Sequence, residues 1–144
     1  MNRGDDIERI VVAAHALTRI AAVETRNHAP AAQWRTLSIL RSEGALRIGE
    51  LATASRVTQP GMTRLVSQLA DAGLVERIPD PADSRATIVE ATDAGIRALD
   101  AWLVQLRDAI EPRLADLDDE DWAALARVAA ILSERTAASV GATR

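Results

Sequence analysis

Between Ile7 and Ala21 the apolar residues Ile7, Ile10, Val11, Ala14, Leu17 and Ala21 recur at steps of three and four, the period of a helix with one apolar stripe. The segment RNHAP interrupts it, because Pro30 disfavours helical geometry at Ala29 yet suits a first helical turn. A second helix is therefore predicted from about Pro30 to Ser42, with Trp34, Leu37 and Leu40 inward and Gly44 as its C-terminal cap. Residues 47–54, RIGELATA, predict a short helix that buries Ile48, Leu51 and Ala52. The link SRV leads into a longer helix at about 58–72, closed by Gly73. In it Met62, Leu65, Val66 and Leu69 face inward, while Gln59, Thr63, Arg64, Ser67 and Gln68 share the exposed side.

The period then shortens. Leu74–Ile78 and Thr87–Glu90 are rich in β-branched and other apolar residues, and PDPADSRA between them reads as an exposed hairpin tip, so a two-stranded wing is predicted. Thr92 can cap a following helix whose Ile96, Leu99, Leu103, Leu106 and Ile110 alternate steps of three and four, a pattern suited to a partner helix. Pro112 ends or kinks it. Asp118, Asp119, Glu120 and Asp121 favour the positive end of a last helix, whose stripe is Trp122, Leu125, Ala129 and Leu132.

Composition narrows the classes. The chain has 144 residues with 48% hydrophobic and 26% charged, which fits one domain of ordinary size. No apolar run approaches the ~18 residues of a membrane span, and the charged start MNRGDDIERI does not read as a signal peptide, so a cytoplasmic protein is expected. With no cysteine there is no disulfide, thiolate nucleophile or cysteine-ligated zinc. Three Trp are the only aromatics, too few for a platform on which single-stranded bases stack. The net charge of −4 argues against nucleic acid only until it is divided along the chain. Residues 35–97 balance eight Arg against eight acids, whereas residues 98–144 carry five against nine. The negative excess therefore lies C-terminal to the helix pair, and local phosphate binding stays open.

Short helix, tight link, long helix and hairpin is the order of a winged helix-turn-helix, whose second helix enters a DNA major groove. The run ELATASRVTQPGMTRLVSQLADAGLVERIPDPADSRATIVEATDAG resembles the multiple-antibiotic-resistance regulator (MarR) family in its helix pair, GLVER strand, D-x-R wing and T-x-x-G close. The flanking helices fit as well, so the resemblance covers nearly the whole chain. It implies a mainly α fold with a small β-wing, in which residues 1–29 and 93–144 form dimerisation helices around a DNA-binding region at 30–92. It also implies a homodimeric transcriptional regulator, by default a repressor, that reads a pseudo-palindromic operator in double-stranded DNA with recognition helices about 34 Å apart.

The residues carry this reading on their own chemistry. Thr58 can cap the recognition helix, where unpaired N–H groups can hold a phosphate. Gln59, Thr63, Arg64 and Ser67 offer donors and acceptors to base edges or phosphates, with Arg64 the chosen base contact. Gly61 departs from the Ser or Thr common in the family, and either closer backbone approach to DNA or a mere helix cost of about 1 kcal/mol fits it. Asp83 and Arg85, two apart on a strand, point to one side and can pair; the resemblance implies that Arg85 enters the minor groove while Asp83 orients it. Arg56 and Arg77 are candidate phosphate partners. The resemblance further implies release by a small molecule, for which His28, Trp34 and Trp102 are the nearest candidates and an apolar or aromatic effector the expected class. His15 and His28 do not converge as a metal pair, the acidic run reads better as helix capping, and no catalytic constellation is found, so no metal, cofactor or enzymatic activity is expected. The alternative is a winged-helix module for protein interaction with no specific operator.

Overall fold

The computed structural model describes residues 2–25 and 31–137. Its elements are α1 (Arg3–Glu24), α2 (Ala31–Glu43), β1 (Leu46–Arg47), α3 (Ile48–Ser55), α4 (Gln59–Asp71), β2 (Val75–Asp80), β3 (Asp83–Ala91), α5 (Asp93–Ile110), a 3-10 turn at Glu111–Leu114, and α6 (Asp119–Ala137). They divide into two compact units, residues 1–29 with 100–116 and residues 30–99 with 117–144.

In the second unit, local chemistry places each end. Gly44 and Gly73 adopt φ of 81° and 75° just past α2 and α4, left-handed conformations that glycine takes without steric cost. Met62, Leu65, Val66 and Leu69 of α4 are all buried, as their spacing predicts, together with Leu37 and Leu40 of α2 and Leu51 and Ala52 of α3. Trp34, expected inward, is half-buried. Val75 and Val89 add the sheet's contribution to this core.

The wing is larger than the sequence suggests. The sheet has three antiparallel strands in the order β1-β3-β2, because Leu46 and Arg47 pair with Val89 and Ile88. Much of the expected hairpin tip is strand as well: β2 runs to Asp80, β3 starts at Asp83, and a bulge lies between Pro79 and Asp80. Pro79, Asp80 and Asp83 are thus drawn into a ladder by cross-strand pairing, while Ser84, Arg85 and Ala86 form the bulge on β3.

The T-x-x-G close has a physical basis. The Thr92 hydroxyl accepts from the Gly95 amide (3.0 Å) and donates to the Gly73 carbonyl (2.6 Å), while the Thr92 amide donates to the Leu74 carbonyl (3.1 Å). A Cβ on Gly95 would run into the Leu74 carbonyl oxygen, so only glycine fits there.

In the first unit, α1 opens with a capping box between Asn2 and Asp5, and Arg113 meets Glu24 at 3.1 Å. The predicted stripe of α1 is largely uncovered in the single chain: Ala21 is buried, whereas Ile7 is 64% and Val11 54% exposed. In α6, which belongs to the second unit, Trp122, Leu125 and Leu132 are likewise exposed and no residue is buried.

Candidate nucleic-acid interface

The surface of interest is built where α3, α4 and the wing meet. Thr58 caps α4 from extended backbone (φ −64°, ψ 152°), its hydroxyl accepting from the Gly61 amide at 3.2 Å. An added Cβ on Gly61 would sit 3.0 Å from both the Thr58 hydroxyl and a Val57 methyl, so a side chain there requires these two groups to give by a few tenths of an ångström.

The same cap limits the unpaired N–H groups that a phosphate could meet. Pro60 has no amide hydrogen, Gly61 donates to Thr58, and Met62 donates to the Thr58 carbonyl at 2.8 Å. Gln59 is left as the first-turn amide with no partner among the described residues.

Gln59, Thr63, Arg64 and Gln68 are exposed on one side of α4, with Ser67 at its edge. Thr63 donates its hydroxyl to the Gln59 carbonyl at 3.0 Å, which leaves that oxygen as an acceptor toward solvent. Arg64 makes no ion pair among the described residues. Arg77, opposite Val89 in the ladder, reaches back to α4 and donates from Nη1 to the Ser67 hydroxyl at 3.3 Å. This bond links β2 to α4.

In the wing, Asp83 and Arg85 do not pair through their side chains. The Asp83 carboxylate accepts from the Arg85 backbone amide at 3.0 Å, the habit of Asp near turns of bonding the backbone two residues on. Asp83 thus shapes the strand that carries Arg85, and the exposed guanidinium has no ion-pair partner among the described residues. Arg85, Gln59 and Thr63 line one concavity of about 390 Å³, together with Arg47, Gly49 and Glu50.

Arg56 occupies the link between α3 and α4 at φ 56°, ψ 42° and is exposed. A left-handed conformation costs a side-chain-bearing residue about 1 kcal/mol relative to glycine. The chain nevertheless places a cation there, where no ion-pair partner meets it among the described residues.

Sequence reading missed Arg47 and Asp80. Arg47 donates from Nε (2.8 Å) and Nη2 (2.6 Å) to one Asp80 oxygen, and the other accepts from the Ala82 amide at 2.9 Å. The Ala82 amide, and after it the Arg47 guanidinium, hold the Asp80 carboxyl below the usual carboxylate range against the opposing effect of burial. The partners are 33 residues apart, so no local spacing signals the pair.

Of the effector candidates, His28 lies outside the described residues, Trp34 is half-buried in α2 and Trp102 is buried in α5. Among the described residues no group of three or more His, Cys, Asp or Glu could hold a metal ion, and no helix is long and apolar enough to cross a membrane.

Helix, link, helix and three-stranded wing define a winged helix-turn-helix fold. Residues 30–87 match the sequence model of the MarR family. It is 37% identical over 86 residues to the HTH-type transcriptional regulator MT0903.1 of Mycobacterium tuberculosis, a match covering 60% of each chain. It is 36% identical, also over 86 residues, to the HTH-type transcriptional repressor NicR of Pseudomonas putida, covering 60% of this chain and 54% of that one. The matches thus span under two thirds of these relatives' own lengths. Among solved structures it resembles the transcriptional regulator Tm0710 from Thermotoga maritima (TM-score 0.71, 26% identity, 90% of this chain and 93% of that one). It is similar in fold to apo MarR from E. coli (TM-score 0.69, 22% identity, 92% and 96% covered).

Proposed function

We propose that this chain is a sequence-specific, DNA-binding transcriptional regulator that works as a homodimer and represses from a pseudo-palindromic operator. The observation that carries the reading is the shared concavity: Gln59 and Thr63 of α4 and Arg85 of the wing open onto one surface. A recognition helix in the major groove and an arginine in the adjacent minor groove need that arrangement. Arg64 reads a base edge and Arg56 meets a phosphate. The homodimer is supported by the uncovered stripes of α1 and α6, where Ile7, Val11, Trp122 and Leu125 are exposed in the single chain. Isolated apolar residues on a surface are ordinary, but repeated stripes on two helices are what a partner helix covers. Release by a small apolar or aromatic effector belongs to the same reading and rests on the family resemblance alone.

The test is binding of the purified protein to DNA from upstream of its own gene and to a scrambled fragment across a salt series. A preference of about 10³-fold or more supports a sequence-specific regulator. Equal, steeply salt-dependent binding to both is phosphate attraction alone and counts against it.

A further inference from the structure

Strand β1 pairs with β3 only at Ile88 and Val89, and beyond that point β2 and β3 continue as a two-stranded ribbon whose register jumps from Pro79–Thr87 to Asp80–Asp83, so Arg85 lies with Ser84 and Ala86 in a bulge that no cross-strand pair holds. A two-stranded ribbon is marginally stable in water without further support. The Arg47–Asp80 pair supplies such support. Its members sit on the outer strands either side of β3, and the guanidinium reaches across to a carboxylate that is 7% exposed. That carboxylate also holds the turn through the Ala82 amide. At the other end, the Arg47 amide donates to Glu50 at 3.0 Å and so fastens the start of α3. A chain of charge-assisted hydrogen bonds thus runs from the wing turn to the first helix of the helix-turn-helix, and such bonds are stronger than neutral ones.

We propose that the Arg47–Asp80 pair is a positioning element that sets the reach between Arg85 on the wing and the Gln59–Thr63 edge of α4, so that both engage one duplex together. The proposal rests on the DNA-binding reading above. In it Arg47, already neutralised by Asp80, acts through the wing and is not counted among the phosphate contacts.

The experiment uses the full-length protein with Asp80→Asn, Arg47→Gln and the double substitution. Asn at position 80 retains an acceptor for the Ala82 amide while losing the ion pair. Each variant is titrated with the upstream and scrambled fragments across a salt series, with thermal unfolding as a control for folding. Each single change is expected to weaken binding to the upstream fragment about tenfold, and the double change no further, the signature of one coupled pair. Binding to the scrambled fragment and the salt slope should stay as in wild type. If Arg47→Gln alone loses affinity and its salt slope falls by about one, Arg47 is a direct phosphate contact and the proposal is overturned. Unchanged binding in both single variants overturns it too. Hydrogen exchange of the wing amides from Asp83 to Thr87 reads the brace without DNA: exchange about tenfold faster in both variants, with α4 amides unmoved, is expected. Should wild type show no preference for the upstream fragment, the DNA-binding reading fails, and unaltered wing exchange would then separately sink the brace.

Discussion

Helices α4 and α6 carry apolar residues at similar helical spacing and meet opposite fates. In α4, Met62, Leu65, Val66 and Leu69 are each no more than 8% exposed, covered by α2, α3 and the wing strands of the same chain. In α6, Trp122, Leu125, Ile131 and Leu132 remain 39–42% exposed. Periodicity reports that a helix has a face in need of cover and is silent on which molecule supplies it. The first helix anchors a fold that one chain completes, and the second is a surface that, under the proposed function, a second copy completes.

The sharpest way to break this contrast is to injure each helix and read different properties. Leu69→Ala, at a site 1% exposed, should cost about 2–5 kcal/mol of folding stability, measured by urea unfolding. A loss below about 1 kcal/mol would mean that α4 is not the anchor. Leu125→Glu on α6 should leave helical content intact and weaken the dimer by about 2 kcal/mol, seen by sedimentation at a series of concentrations. A monomeric wild type, or a variant as dimeric as wild type, would remove α6 from the interface. On the exposed side of α4, Arg64→Ala should lower DNA affinity by about 1–3 kcal/mol with relaxed discrimination at one base position. An equal loss on every sequence would reassign it to a phosphate.

Two smaller effects refine the picture. Arg56→Gly relieves a left-handed side chain, so stability should hold or rise by less than about 1 kcal/mol while DNA affinity falls and the salt slope drops by about one. A glycine variant that binds DNA like wild type would reduce Arg56 to an accident of the turn. The Asp80 carboxyl is held below its ordinary value of 3.8, so the folded state binds fewer protons than the unfolded one as pH drops. Its contribution is complete above 3.8 and is lost as pH falls through the folded value. Wild type should therefore lose its stability advantage over Asp80→Asn only on the acid side, in unfolding curves between neutral pH and pH 2.5.

What could be read from the sequence was local. The inward set of α4, the Thr58 and Thr92 caps and the glycines ending α2 and α4 all follow from spacing within a turn or two. What could not be read was long-range. A two-residue strand such as Leu46–Arg47 is too short to show alternation, and its partners Val89 and Ile88 lie some forty residues on. The wing turn is shorter than its Pro and Asp content suggests for the same reason, since Asp80 looks like a loop residue until Arg47 stands beside it. Spacing puts Asp83 and Arg85 on one strand, yet alternation does not show that the carboxylate takes the backbone amide. At the start of α4 the Thr58 hydroxyl and carbonyl take up the Gly61 and Met62 amides, a distribution that spacing alone does not show.

The order β1-β3-β2 leaves β2 as a border strand, with one side of its backbone unpaired. Such borders invite neighbouring molecules to add strands, the route to aggregation. Here the border carries Glu76 and Arg77, both exposed, and Pro79, which has no amide hydrogen to offer. An exposed blade is thereby kept from sticking to its own kind, and concentrated preparations should resist fibril growth at this edge.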